Sequence, residues 1–195
     1  MKSNILIIDG HPDPCAKRLV HALADAYRQG AQQAGHEVKV VRLADLNFPL
    51  LRSQSDYEEE QPVEAVRQVQ HLMEWATHVV ILYPLWLGSM PAMLKALFEQ
   101  MMRPGFAFST KQLGRWRVKF MSGKSARVVV TMGMPAFIYR WYFRAHSLRS
   151  LQRNILKFVG FRHVRSTIIG SAGSLTRAQC EDWLKNVRNL GQAAA

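Results

Sequence analysis

Acidic residues are missing from a large part of this chain. Between Glu99 and Glu181 there is no Asp or Glu, while the same stretch carries fifteen Lys or Arg. Over the whole sequence 26 Lys and Arg stand against 14 Asp and Glu, a net charge of +12. A half of one sign predicts an anionic partner: a phosphorylated cofactor, nucleic acid, a membrane surface or an acidic protein. A solvated basic face with no partner accounts for the charge alone equally well. Cysteine is scarce, with only Cys15 and Cys180, far apart and without metal-ligand spacing. That excludes a disulfide scaffold and a zinc ribbon, predicts no metal, and makes a reducing compartment the expectation. Long apolar runs are absent too. The longest uncharged one, residues 79–94, is too short for a bilayer and is broken by Pro84, Gly88 and Pro91. No secretory signal is visible, because the apolar residues 5–8 end at Asp9. The expected location is the cytoplasm.

What is present is enough apolar residue to fold. At 48% apolar and 21% charged over 195 residues, the chain is not disordered and reads as a single domain spanning 1–195. Residues 4–9 form a short, nearly continuous apolar run, the pattern of a strand buried on both faces. Leu19, Ala22, Leu23, Ala26 and Tyr27 follow at helical spacing. Further strands are predicted at 37–43, 78–83, 126–131 and 163–169. Helices are predicted at 63–75, from Pro91 to about residue 101, over 137–158 with a break near His146, and at 176–190. The last has Thr176 as N-cap and Gly191 as stop. Residues 44–62 read as a polar connection. Five strands alternating with helices predict a doubly wound α/β sandwich of three layers around a five-stranded parallel sheet.

In such sheets ligands bind at the carboxyl ends of the strands. Three loops leave strand ends there. The first, residues 10–17, meets a helix N-terminus, where free N–H groups favour a phosphate and His11, Lys17 and Arg18 add donors. Gly10 is its only glycine, which excludes the Gly-x-Gly-x-x-Gly fingerprint and the P-loop. An ordinary turn with Asp13 or Cys15 near the helix cap explains the spacing equally well. The second loop, residues 84–90, holds Pro84, Leu85, Trp86, Leu87 and Gly88 and suits the edge and face of a flat ring; Leu85 alone reads better as packing. The third begins at Thr131, Met132, Gly133 and Met134, whose hydroxyl and amides can hydrogen-bond a ring. Tyr139 and His146 follow as possible donors.

Together these segments resemble the flavodoxin-like NAD(P)H:quinone oxidoreductases, the DT-diaphorase-like flavoproteins, a group that includes ancillary subunits of potassium efflux systems. The resemblance rests on the stretch 83–108, YPLWLGSMPAMLKALFEQMMRPGFAF, on Thr131-Met132-Gly133 with Tyr139 and His146 downstream, and on Gly10-His11-Pro12. It implies a non-covalent FMN or FAD and NAD(P)H as electron donor. By the same resemblance His11, Arg18 and Leu19 hold the flavin phosphate region and residues 84–87 line the isoalloxazine. Thr131 and Gly133 bond the ring, and Tyr139 with His146 stabilise negative charge on the flavin during hydride transfer. Phe106 and Phe108 wall the substrate pocket across a homodimer interface. The chain departs from the family where a Ser and an Asn usually follow the His-Pro, since Ala16, Lys17, Arg18 and Val20 stand there.

The implied activity is ping-pong reduction of a quinone or similar electrophile. An alternative is a regulatory, flavin-binding subunit of a membrane transport system, motivated by the base-and-aromatic segments 115–119 and 140–144. The same aromatics suit a dimer interface. No nucleic-acid-binding module is visible, and no nucleic-acid partner is expected.

Overall fold

The computed structural model describes residues 2–108 and 121–194. The expected base-and-aromatic segment 115–119 lies outside them. Five strands, β1 (Asn4–Asp9), β2 (Glu37–Arg42), β3 (His78–Pro84), β4 (Ser125–Thr131) and β5 (His163–Ile169), form one sheet in the order β2-β1-β3-β4-β5. Every pairing is parallel. The order turns back between β1 and β3, so the loops leaving those two strands diverge and open a crevice at their carboxyl ends.

Alternation along the strands divides the core. Leu6, Ile8, Val79, Ile81, Val128 and Val130 face α3 (Glu64–Trp75) and α4 (Ala92–Met101). Ile5, Ile7, Val80, Leu82 and Val129 face the other way, with Leu23 and Tyr27 of α1 (Leu19–Gln33) and Val187 of α8 (Arg177–Gln192). Ile5 to Ile8 are all fully buried, each worth about 1.5–3 kcal/mol of burial. A strand covered on both faces has no polar side, which is why the apolar run in the sequence is continuous.

Three expectations about elements are corrected. Gly191 does not stop the last helix but lies inside α8, which runs on to Gln192. Its role is close approach: a Cβ there would stand 2.2 Å from the Tyr27 carbonyl oxygen, and one on Gly30 would stand 1.9 Å from that of Arg188. The two glycines let the backbones of α1 and α8 touch. The connection 44–62 is not wholly irregular, since α2 (Gln54–Glu58) is capped by Ser53, whose hydroxyl accepts from the Asp56 N–H. Buried Arg103 ties this segment to the end of α4 through the carbonyls of Asp56 and Glu60.

The predicted helix over 137–158 is in pieces. These are α5 (Ala136–Trp141), α6 (His146–Ser150), a π-helical stretch Leu151–Leu156 and α7 (Lys157–Val159). Its break spans residues 142–145, where Arg144 (φ 50°) and Ala145 (φ 48°) adopt the left-handed conformation. Among the described residues no helix is long and apolar enough to cross a membrane.

Candidate functional site

The first loop is organised from below. Asp9 ends β1 buried, on the face of α1. Its carboxylate lies 2.5 Å from Nδ1 of buried His21, and the other ring nitrogen, Nε2, lies 2.9 Å from the Asp13 carbonyl oxygen. A carbonyl only accepts, so Nε2 carries a proton, and Nδ1 is the nitrogen that faces the carboxylate. Asp9 also accepts the His11 N–H at 3.3 Å. The loop is thus held at residues 11 and 13 by a polar pair that the chain carries inside.

His11 is fixed in turn. Its Nδ1 accepts the Asp13 N–H at 3.1 Å. That sets the neutral ring with its proton on Nε2, the nitrogen without a hydrogen-bond partner among the described residues. Burial, and then the charges of His21 and Arg18, hold this imidazole below the usual histidine range. Its ring meets Trp86 edge to face with centroids 5.6 Å apart. The loop after β1 therefore touches the loop after β3 across the crevice.

Helix α1 begins without a side-chain cap. Asp13, a candidate cap, accepts the Cys15 N–H at 2.8 Å and the Arg18 guanidinium, Nε at 2.8 Å. Those two contacts, the amide first, hold its carboxyl below the usual carboxylate range. Arg18 is therefore neutralised locally, and Lys17 is a cation of this loop with no ion pair among the described residues. Leu19 opens the helix half-buried. Gly10 is required for close approach: its N–H donates to the Leu82 carbonyl at 2.7 Å, and a Cβ would stand 2.8 Å from that oxygen.

The second loop is a two-residue hairpin turn. Trp86 and Ser89 exchange backbone hydrogen bonds of 2.8 and 2.9 Å around Leu87 (φ 45°) and Gly88 (φ 78°). Pro84 is buried and belongs to β3, and Leu85 packs on the core, as its apolar character predicts. Trp86 is half exposed, and Leu87 fully so at the tip. A leucine held in the left-handed region and in solvent serves neither local conformation nor core.

The third loop divides its residues. Thr131 and Met132 are buried, Met132 with the α3–α4 core. The Thr131 carbonyl accepts from the Leu85 N–H at 2.7 Å, which joins the second and third loops. Gly133 is exposed, and a Cβ on it would meet nothing within 4 Å.

A cavity of about 300 Å³ is lined by Leu87, Gly88, Met134, Tyr139, Phe143, His146 and Ser147. It gathers the second loop, the third loop and both predicted donors. Tyr139 is buried, and its hydroxyl lies 2.7 Å from Ser147 Oγ and accepts the Leu148 N–H at 3.2 Å. Either hydroxyl of the Tyr139–Ser147 pair can be the donor, and where Ser147 donates, the Tyr139 proton is left for the cavity. His146 is exposed at the cavity's edge. Ser147 was not legible in the sequence, because a lone serine on a helix carries no pattern.

Phe106 and Phe108 do not join this cavity within one chain. Phe108 lines a different one, of about 370 Å³, with Phe158 at 5.4 Å. Phe106 lines a third with residues 57–62. Below the site the Tyr83 hydroxyl is buried without a hydrogen-bond partner among the described residues, and burial raises its pKa above the usual tyrosine range. The described residues contain no cluster of His, Cys, Asp and Glu able to hold a metal.

Comparison with known proteins adds the following. The sequence model of a family described by its flavodoxin-like fold matches residues 3–190. A ribosyldihydronicotinamide dehydrogenase-like protein of Penicillium crustosum is 28% identical over 154 residues, 66% of this chain and 57% of that protein. The chain thus spans little more than half the length of that relative. A protein named an uncharacterized NAD(P)H oxidoreductase of Haemophilus influenzae is 26% identical over 171 residues, 86% of this chain and 83% of the relative. Among solved structures, an NAD(P)H:quinone oxidoreductase from Methanothermobacter marburgensis superposes with a TM-score of 0.82 at 24% identity, covering 100% of both chains. An FMN-dependent NADH-azoreductase from Bacillus anthracis, in complex with FMN, superposes with a TM-score of 0.74 at 16% identity, again over 100% of both.

Proposed function

The chain belongs to the family of flavodoxin-like folds, and we propose that it is a flavin-dependent NAD(P)H oxidoreductase reducing quinones or similar electrophiles. The observation that carries this reading is the cavity joining Leu87, Met134, Tyr139 and His146 beside the uncapped start of α1. Together they offer an apolar cavity, paired donors and an anion site, the three requirements of a flavin mononucleotide moiety. The names of the relatives, dehydrogenase and NAD(P)H oxidoreductase, support the same class. They lend no support to the alternative of a transport subunit.

The residues present fit a flavin. The first turn of α1 offers backbone N–H groups with no side chain across them, and Gly88 and Gly133 leave open space where a Cβ would stand. His11 Nε2 and Lys17 would bind the phosphate, with Leu19 beside it and Arg18 shaping the loop through Asp13. Trp86, Leu87 and Met134 would cover the ring, while Leu85, Thr131 and Met132 support it from the core. FMN and FAD both satisfy this set, and the FMN complex of the Bacillus anthracis structure supports FMN.

A bound flavin supplies the two-electron chemistry, by which NAD(P)H, a proton and a quinone become NAD(P)⁺ and the hydroquinone. The chain supplies position and charge. Tyr139, positioned by Ser147 and the Leu148 N–H, and His146 would present donors to the negative charge that develops in the cavity. The apolar lining excludes water from the transferred hydride. The basic half draws NAD(P)H phosphates to the crevice.

A homodimer is the expected assembly. Phe137, Trp141 and Tyr142 are more than 60% exposed and Phe143 is 44% exposed, a concentration of aromatics typical of interface cores. A second copy on this face would close the open side of the cavity, and Phe106 and Phe108 would reach it from the partner. The site of action is the cytoplasm, where NAD(P)H is supplied.

The reading is tested by titrating flavin-free protein with FMN and FAD and following the quenching of flavin fluorescence. Saturable one-to-one binding that weakens in Lys17→Gln is expected. Binding of neither flavin would overturn it.

A further inference from the structure

The oxidoreductase reading gives the cavity a ring to hold, and one side chain in its wall is open to oxidation. Of the eight methionines from Met73 to Met134, six are buried: Met73, Met90, Met101, Met102, Met121 and Met132. Met93 and Met134 are half-buried. Met93 lies on α4 and is not part of the cavity wall, whereas Met134 lines the cavity with Leu87, Tyr139 and Phe143. A thioether that peroxide can reach becomes a sulfoxide, which is polar where the methionine was apolar.

The backbone gives Met134 no retreat. Its carbonyl accepts the Ser171 N–H at 3.0 Å, and the Met132 carbonyl accepts the Ala172 N–H at 2.8 Å. Gly170 packs so closely here that a Cβ on it would stand 2.2 Å from the Ala136 nitrogen and 2.9 Å from the Met134 carbonyl oxygen. The third loop is thus clamped around Met134 to the segment that follows β5. A chemical change at this side chain must be met by the cavity, because the main chain behind it has no room to withdraw.

We propose that Met134 is a site of reversible sulfoxide formation by hydrogen peroxide, and that its oxidation weakens flavin binding. The second half of this rests on the oxidoreductase reading. In the step itself the thioether sulfur attacks one oxygen of the peroxide and the O–O bond breaks. Methionine sulfoxide and water result, the sulfur having lost two electrons and the peroxide having gained them. The new oxygen is a strong acceptor beside the apolar side chains of Leu87 and Phe143, and the donors lining the same cavity are Tyr139, His146 and Ser147. Where it takes a hydrogen bond from one of these, that donor is lost to the ring. Where it takes none, an unpaired dipole faces the ring at a cost in affinity.

The test treats flavin-free protein with limiting hydrogen peroxide, follows each methionine peptide by mass, and titrates FMN and FAD before and after. The Met134 peptide is expected to gain one oxygen well ahead of the Met93 peptide, and the flavin Kd to rise about tenfold. Methionine sulfoxide reductases should reverse both changes. Met134→Leu, a change of similar volume, starts from its own Kd, and peroxide should leave that value where it was. Oxidation of Met93 as fast as Met134 overturns the proposal, as does an unchanged Kd once Met134 is fully oxidised. A loss of affinity that persists in Met134→Leu overturns it too, and assigns the effect to another group such as exposed Cys15. Untreated protein that binds neither flavin overturns the oxidoreductase reading instead, and the peptide masses still decide whether Met134 is the favoured site.

Discussion

The carboxylate of Asp9 and the imidazole of His21 meet at 2.5 Å inside the protein, directly beneath the loop that begins α1. The second ring nitrogen holds the Asp13 carbonyl, so one buried pair sets both ends of the turn that carries His11. Removing the imidazole leaves a buried carboxylate without its partner, which costs about 3–5 kcal/mol in comparable pairs. His21→Ala should therefore lose stability on that scale in urea titrations and weaken flavin binding further. His21→Gln, which keeps a donor, should recover part of both.

Two glycines give opposite expectations. Gly191→Ala drives a methyl against the Tyr27 carbonyl at 2.2 Å, so α1 and α8 must separate, at about 1–3 kcal/mol for an overpacked contact. Gly133→Ala meets nothing within 4 Å and should leave the thermal midpoint unchanged while raising the flavin Kd. A thermal scan and a fluorescence titration of both variants separate a packing glycine from a cradle glycine.

His78 ties acid stability to a deeply buried ring. It is 4% exposed, with Tyr27 Oη at 3.1 Å from Nε2 and Ser125 Oγ at 2.7 Å from Nδ1. Burial, and then Arg127, push its pKa down to about 4 from 6.5. The folded state therefore binds this proton less readily than the unfolded chain. The neutral ring's contribution is complete above pH 6.5 and is lost as the pH falls toward about 4, amounting to about 3 kcal/mol. Urea midpoints measured across that window should fall with acidity in the wild type, and less steeply in His78→Asn.

Tyr139 and His146 make a kinetic expectation. Tyr139→Phe with His146→Ala should slow flavin reduction by NADPH in stopped flow, by about 10²-fold if the two supply the donors to developing charge. Ser147→Ala should have a smaller effect in the same direction, because Tyr139 then loses the hydroxyl that positions its own at 2.7 Å. Unchanged reduction in the double variant would remove both from the site.

The sheet was legible in the sequence because its three central strands, β1, β3 and β4, are largely apolar runs buried on both faces, with the more exposed edge strands β2 and β5 falling between predicted helices. The bounds Asn4–Asp9 and His163–Ile169 are those the pattern predicts. The break expected near His146 lies at residues 142–145, and its bounds were not legible because it is made by left-handed Arg144 and Ala145, where neither glycine nor proline marks the turn. Gly191 was taken for a stop because sequence cannot distinguish a glycine that ends a helix from one that lets another helix approach. Of the site, the loop residues could be read from their place after strands. The Asp9–His21 pair could not, because a histidine within an apolar helix carries no sign of the carboxylate it faces twelve residues earlier.

The central claim is that three loops at the carboxyl ends of β1, β3 and β4 hold a flavin that NAD(P)H reduces. The most direct measurement is the absorbance spectrum of the flavin-reconstituted protein as NADPH is added without oxygen. The account predicts a bound flavin band that bleaches stoichiometrically and returns when a quinone is admitted. A bound band that NADPH leaves untouched would contradict it.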